Sequence, residues 1–493
     1  MLKHKLARLV LSLLLLPITT TANADAEDLE SYLQALAEAA AIPGLSFAYL
    51  ENRKLQLITV GLADTDNQIT VTKDTIFEAA SLSKPVLAFI VLKLAERGEF
   101  SLDQPLYEIL QNSRIQNKEW AKLITAKHVL TRQTGLPNWS RGDLELSFKP
   151  GSDFNYSGEG YVYLQNVVEK LTGLPLNALA KREVFDPLEM KNSYFTWNEE
   201  DQLKLAKGHD RAGNQVTRGI PESNAAASLN TTPEDYLIFV RAWFDNEQLQ
   251  PASRELAFEP RAKKVQGEPP TTMGWGLGWG VSTLGESKTL WHWGDNGVFR
   301  GFVAVAPDTE RAFVYFTNSQ NGLAISKQLT ERFFPDNDDI SQWLGYGQSD
   351  SPLWQAERKG YEMASQGKYL EAQQLFEEVL TEFPTNQRLK NQVKWFEPLI
   401  NPPKNALVLD PETLKSITGQ YGERRLFLEG DVLKYQRGEG TAFVLTPFFG
   451  NVFKVGDLAD FRLEIVFDET GKPTKLVGQY DNGYSDASER TSD

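Results

Sequence analysis

Strand-like stretches stand at both ends of one long segment, and helical patterns fill the interval between them. GLSFAYLEN (44–52) and KLQLITVGLAD (54–64) read as two β-strands around Glu51-Asn52-Arg53, a hairpin by its spacing. Late in the segment GLGWGVSTL, TLWHWG, GFVAVAPD and RAFVYFTNS are strand-like again, separated by turn residues. Between them, 81–97 and 158–172 read as helices closed by Gly98 and Gly173. Such a distribution predicts one sheet built from both ends of the domain, an α+β layer architecture spanning about 25–345.

The chain continues well past that domain, as 493 residues require. GYGQSDSPL (345–353) reads as a linker. Segment 350–400 is helical, and Ala372, Phe376 and Pro384 match the spacing of a tetratricopeptide repeat. Met363 stands where that repeat has an aromatic, so a TPR-like helical hairpin and a plain helical spacer both fit. One repeat cannot bury its own face, so it must pack on a neighbour. After Pro402 and Pro403, segment 405–485 reads as a small antiparallel β-module, with turns at Gly430 and Gly471. The polar tail 486–493 reads as disordered.

The first 24 residues read as a processing signal. Lys3, Lys5 and Arg8 precede LVLSLLLLPI, and Ala22 and Ala24 supply the small residues of a cleavage site before Asp25. That apolar run is about half the roughly 20 residues a spanning helix needs. A periplasmic or secreted protein with no membrane span after signal removal is the expectation.

A formal charge of −15 disfavours nucleic acid as a partner, because phosphate binding needs clustered Lys and Arg. The absence of cysteine excludes disulfides and thiolate chemistry. Beyond the signal there are three histidines, His128, His209 and His292, without the H-x-x-x-H spacing of a zinc hydrolase. Neither G-x-S-x-G nor a glycine-rich phosphate loop occurs, and no metal or cofactor is expected.

Two copies of S-x-x-K remain. Ser365–Lys368 falls at a turn between helical patterns and has no companions. Ser81–Lys84 follows strand-like residues and opens the apolar helix VLAFIVLKLAE, so both side chains share one face. A lysine desolvated there can lose its proton and serve as base to the serine hydroxyl. The same spacing also fits the polar start of an ordinary helix.

Companion motifs separate these readings. TRQTGLPNW, then KPGSDFNYSGEGYVYLQNVVEKLTG, then FDPLEM, then WHWGDNGVFRGFVAVAPD follow Ser81-Leu82-Ser83-Lys84 in order. The series, over roughly 30–335, resembles the serine β-lactamase and penicillin-binding-protein superfamily, and within it the class C β-lactamase-related branch with its esterases and D-amino-acid peptidases. The resemblance implies an antiparallel sheet flanked by helices plus an all-helical subdomain. It implies Ser81 as the acylated nucleophile, Lys84 as general base, and Tyr156 as the tyrosine of the second motif. His292-Trp293-Gly294 takes the place of the third motif, and the oxyanion donors would be the N–H groups of Ser81 and Asp295.

Two departures bear on substrate. Gly158 stands where the second motif has asparagine, and His292 where the third often has lysine. Arg300 is the candidate replacement for that positive charge, or else a surface arginine. Trp275, Trp279 and Trp293 would line an apolar acyl pocket or fill the core. The expectation is an exported serine hydrolase acting on small esters, amides or D-amino-acid peptides. The alternatives are a true β-lactamase or DD-carboxypeptidase, and a non-catalytic scaffold with its partner surface on the 350–400 hairpin or the β-module.

Overall fold

The computed structural model describes residues 21–492 except 52–53, 141, 197–202, 217–221, 262–270, 285–286, 336–338, 347, 439 and 457. Most of the expected signal segment and the Asn52-Arg53 turn therefore lie outside the described residues. No described helix is long and apolar enough to cross a membrane.

The sheet is assembled from both ends of its domain. Gly44–Glu51 pairs antiparallel with Lys54–Asp64 on one side, Leu45 opposite Val60. On its other side it pairs with Arg311–Thr317, Phe47 opposite Tyr315. Arg300–Ala306, Ser287–Asp295, Gly280–Leu284 and Thr271–Trp275 follow in order on that side, and the short Ile69–Thr70 flanks Lys54–Asp64 at the other edge, making eight strands.

Alternation along these strands sends successive side chains to opposite faces. Leu45, Phe47, Phe313 and Tyr315 enter the rear core, while Ala48, Val303, Val314 and Phe316 enter the front one. Helix Thr21–Ala39 closes the rear face with Leu29, Leu33 and Leu36. Their burial, at about 1.5–3 kcal/mol per side chain, outweighs the exposed Arg332–Asp28 ion pair, at about 0–1 kcal/mol.

On the front face lies helix Ser83–Glu96, buried on nearly every side. Its sequence is apolar all round, which suits a core helix rather than a surface one. Pro85 sits in the first turn, where no intrahelical N–H bond is lost. Because this helix is central, anything polar at its start is cut off from water. Lys84 is at its start.

Segment 350–400 holds three helices rather than two: Pro352–Ser365, Tyr369–Glu382 and Gln387–Ile400. The third supplies Phe396, which stacks on Phe376 at 5.8 Å and covers the face a lone pair would leave open. Gly360 lets the first helix close on the Phe376 ring, where a Cβ would come within 2.2 Å.

The β-module is a closed antiparallel barrel of eight strands. One expectation needs correcting here. The tail expected to be disordered forms the last strand, Ser485–Ser492, which pairs with Pro473–Tyr480 and with Gly419–Tyr421. Its polar residues supply a backbone that closes the barrel and leaves no free edge. The barrel, the helices and the sheet domain meet at one relay. Arg211 Nη1 donates to the Tyr361 hydroxyl at 3.0 Å, and that hydroxyl donates to Asp481 Oδ2 at 3.0 Å.

Candidate active site

Ser81 follows a strained turn. The short strand Phe77–Ala80 pairs with Leu229–Thr231 and ends at Ala80, whose φ is +51°, a region side chains other than glycine seldom adopt. Ser83 pins that turn: its Oγ donates to Ala80 O at 2.6 Å and accepts from Leu229 N at 2.9 Å.

Lys84 is fully buried, with Nζ 2.8 Å from Ser81 Oγ and donating to Ala226 O at 2.5 Å. The nitrogen lies over the rings of Tyr156 and Tyr161, 5.1 and 5.8 Å from their centroids. Burial, and then the neighbouring Arg132 guanidinium, hold its pKa well below the usual ammonium range. A neutral amine here donates to Ala226 and accepts from the serine hydroxyl, the arrangement a general base requires.

Arg132 is the site residue that sequence reasoning missed, although it stands inside the motif TRQTGLPNW. It is fully buried, and among the described residues no carboxylate forms an ion pair with it. Instead its guanidinium carbon lies 4.3 Å from the ring centroids of both Tyr156 and Tyr161 and 5.0 Å from that of Trp275. Aromatic faces partly replace the lost hydration of the cation. Its backbone is in the left-handed region (φ +64°), and its carbonyl accepts from Asn155 N at 2.9 Å, which brings the 155–158 segment alongside. No local pattern announces a left-handed arginine or the aromatic cage around it.

His292 lies at the end of that cage, fully buried, with Nε2 3.2 Å from Arg132 Nη2 and Nδ1 2.8 Å from Trp293 O. Arginine only donates, so Nε2 is the unprotonated nitrogen and Nδ1 carries the hydrogen toward the carbonyl. Burial, Arg132 and Lys84 push its pKa well below the usual imidazole range, so the ring is neutral. Its role in these contacts is to seat Arg132.

Gly294 has a steric purpose. A Cβ there would sit 2.3 Å from Ala79 O and 3.1 Å from Ala80 Cβ, so glycine lets the strand close on the nucleophile turn. Asp295 follows and pairs with Arg300 at 3.1 Å. Arg300 thus reaches the end of the same strand rather than open solvent. Trp293 lies against Tyr156, ring centroids 4.9 Å apart. Trp275 joins this aromatic group, whereas Trp279 packs against Trp243 in the front core.

Tyr156 is half-buried, and its buried hydroxyl has no partner of full hydrogen-bond geometry among the described residues. Burial raises its pKa, while Arg132 and then the nearby Ser81 hydroxyl act to lower it. Ser157 caps the following helix, Gly158–Thr172, by accepting from Gly160 N at 2.9 Å. Gly158 has its own explanation. A Cβ there would meet the Trp139 ring at 2.7 Å and Asn138 O at 2.8 Å. The ring of Trp139, 51% exposed, fills the space beside it.

Together these residues form a serine hydroxyl with a buried amine of lowered pKa at hydrogen-bond distance and a phenol beside both. The arrangement supports acyl transfer: one group to accept a proton and one to relay it.

A family model described as Beta-lactamase matches residues 29–332. Esterase EstB of Burkholderia gladioli is 31% identical over 231 residues, covering 39% of this chain and 58% of the esterase. The chain thus spans less than two thirds of that relative. Penicillin-binding protein 4 of Amycolatopsis lactamdurans is 24% identical, covering 58% of this chain and 82% of that protein. Among solved structures, the octameric penicillin-binding protein homologue from Pyrococcus abyssi is similar over 95% of this chain and 99% of its own, with a TM-score of 0.56 at 19% identity. D-alanine carboxypeptidase AmpC from Burkholderia cenocepacia is similar over 60% of this chain and 95% of its own, with a TM-score of 0.51 at 20% identity. At these identities the two structures speak for the fold.

Proposed function

The chain belongs to the Beta-lactamase family of serine hydrolases, and from that premise we propose that it hydrolyses small esters or amides through an acyl-enzyme on Ser81. The observation that carries this reading is the 2.8 Å approach of the buried Lys84 amine to Ser81 Oγ, with burial and Arg132 holding the amine's pKa well below the usual ammonium range. Lys84 takes the hydroxyl proton as Oγ bonds to the substrate carbonyl carbon. Charge on the carbonyl oxygen is met by the Ser81 N–H and, on the family pattern, by that of Asp295. As the intermediate collapses, the bond to the leaving group breaks and Tyr156 relays the proton from Lys84 to it. Water then attacks the acyl ester, gives its proton back along the same path, and frees Ser81.

Arg132 gives this relay its direction. A fixed cation disfavours an ammonium at Lys84 and favours a phenolate at Tyr156. Gly158 and Trp139 favour the ester and peptide readings over the β-lactam one. An indole stands beside the position where the second motif has an amide side chain. We further propose that the chain is exported with cleavage before Asp25, on the strength of the basic and apolar run at 1–16. Sequencing the N-terminus of protein recovered from outside the cytoplasm tests this.

A fluorophosphonate probe tests the enzyme reading. Wild type should gain the mass of one adduct on Ser81 and Ser81→Ala none; equal labelling of both would sink it. Comparing a short-chain nitrophenyl ester, a D-alanine anilide and a chromogenic cephalosporin ranks the substrates, and dominant cephalosporin turnover would overturn the preference drawn from Gly158.

A further inference from the structure

A cavity of about 200 Å³ opens where the catalytic domain meets the three helices of 352–400. Its wall carries four guanidinium groups. Arg211 and Arg300 come from the catalytic domain, and Arg358 and Arg388 from the helices, with Glu357 as the one carboxylate among the lining residues. A junction built only to hold two domains would match cations with carboxylates across the gap. Here the pairing is partial. Asp295 takes one side of Arg300, Glu362 one side of Arg358, and Glu357 approaches Arg388 at 3.5 Å. The buried Nε–H groups of Arg300 and Arg358 have no partner among the described residues. Burial also pushes the Glu357 carboxyl up, with Arg211 opposing it.

Two packed rings connect the cavity wall to the Ser81–Lys84–Tyr156 group. Tyr156 lies against Trp293 at 4.9 Å, Trp293 Nε1 donates to the Tyr346 hydroxyl at 3.2 Å, and the Arg300 guanidinium sits 4.9 Å over the Tyr346 ring. One indole and one phenol therefore separate the proposed proton relay from the arginines. Trp354 offers an apolar wall for a carbon chain. The volume exceeds the roughly 30 Å³ share of one water several times over, room for a carboxylate with a short stem.

We propose that Arg211, Arg300, Arg358 and Arg388 form an anion subsite that receives a carboxylate at the far end of the substrate. Arginine forks suit a planar carboxylate, which they grip through two parallel N–H bonds. The substrate class is then an acid-tailed ester or amide, and the added helices become part of its recognition. This rests on the serine-hydrolase reading above, and the test separates the two.

Nitrophenyl monoesters of dicarboxylic acids are compared with esters of monocarboxylic acids of equal chain length, on the full chain. Wild type should favour an acid-tailed ester about tenfold or more in kcat/KM, a preference of about 1.4 kcal/mol. Arg358→Gln/Arg388→Gln should cut that preference by about tenfold, with turnover of the neutral ester reporting that the variant is folded. Equal use of both series by wild type, or an undiminished preference in the variant, overturns the subsite. If neither series is turned over, the hydrolase reading has failed, and calorimetric titration of adipate into Ser81→Ala decides the subsite alone. Binding that Arg358→Gln/Arg388→Gln abolishes supports it, and absence of binding overturns it.

Discussion

The same four-residue pattern, serine and lysine three apart, occurs twice in this chain in opposite surroundings. Ser365 ends a helix and donates to Glu362 O at 2.8 Å, while Lys368 lies beyond the turn and donates to Gln366 Oε1 at 2.7 Å. Each satisfies itself locally, in water, and the two side chains have no common purpose. Ser81 and Lys84 instead sit at the start of a core helix, and the amine has the serine, one carbonyl and two aromatic faces for company. Spacing brings the side chains to one side of a helix. Burial lowers the pKa of one of them.

Substitutions at both copies put that contrast to the test. Ser81→Ala should lower kcat on a nitrophenyl ester by on the order of a thousandfold or more. Next in size, Lys84→Met should cost on the order of 10²–10⁴ in rate, the range for a lost general base. The same variant should flatten the pH dependence of stability. With Lys84 depressed in the folded state, the unfolded chain binds more protons between that value and the usual 10.5, so stability rises with pH across this window. Chemical denaturation of Lys84→Met at several pH values should show less of that rise.

Arg132→Gln sharpens the comparison rather than breaking it. In the proposed mechanism the active form has Lys84 neutral, so activity is lost as pH falls through its pKa. Removing the guanidinium raises that pKa and should move the acid limb of kcat/KM to higher pH. An unmoved limb would mean that burial alone sets Lys84. Gly158→Asn should cost about 1–3 kcal/mol of stability through overlap with Trp139, read as a lower melting temperature, and Trp139→Ala should relieve it. Smallest of all, Ser365→Ala and Lys368→Met should leave turnover at wild-type levels and stability within about 0.5 kcal/mol.

What the sequence disclosed follows from how local each signal is. The two-ended sheet was readable because strand periodicity lies in consecutive residues. The order of motifs placed Ser81, Tyr156 and His292 in one region. Arg132 stands inside a motif whose local pattern does not single it out. Its importance depends on Tyr161, Trp275 and His292, which are distant in sequence, and on a backbone angle that no side chain advertises. Gly158 read as a missing amide, whereas its physical reason is an indole 19 residues earlier in the chain. The last strand read as a disordered tail because polar residues at a barrel seam lack hydrophobic alternation, and the pairing that orders them involves Gln420 and Tyr421.

The Arg211–Tyr361–Asp481 relay carries a consequence for how such a chain can change over generations. Each partner comes from a different part of the protein, and both side-chain bonds of the relay cross between parts. Trp354 likewise leaves its own helices to pack in the core behind the catalytic sheet. A gene cut after residue 345 would encode a catalytic piece with an open hydrophobic slot and an arginine lacking its phenol. Recombination could therefore join these parts, but drift afterwards must move them together. The three segments look separable along the sequence, yet they are inherited as one unit.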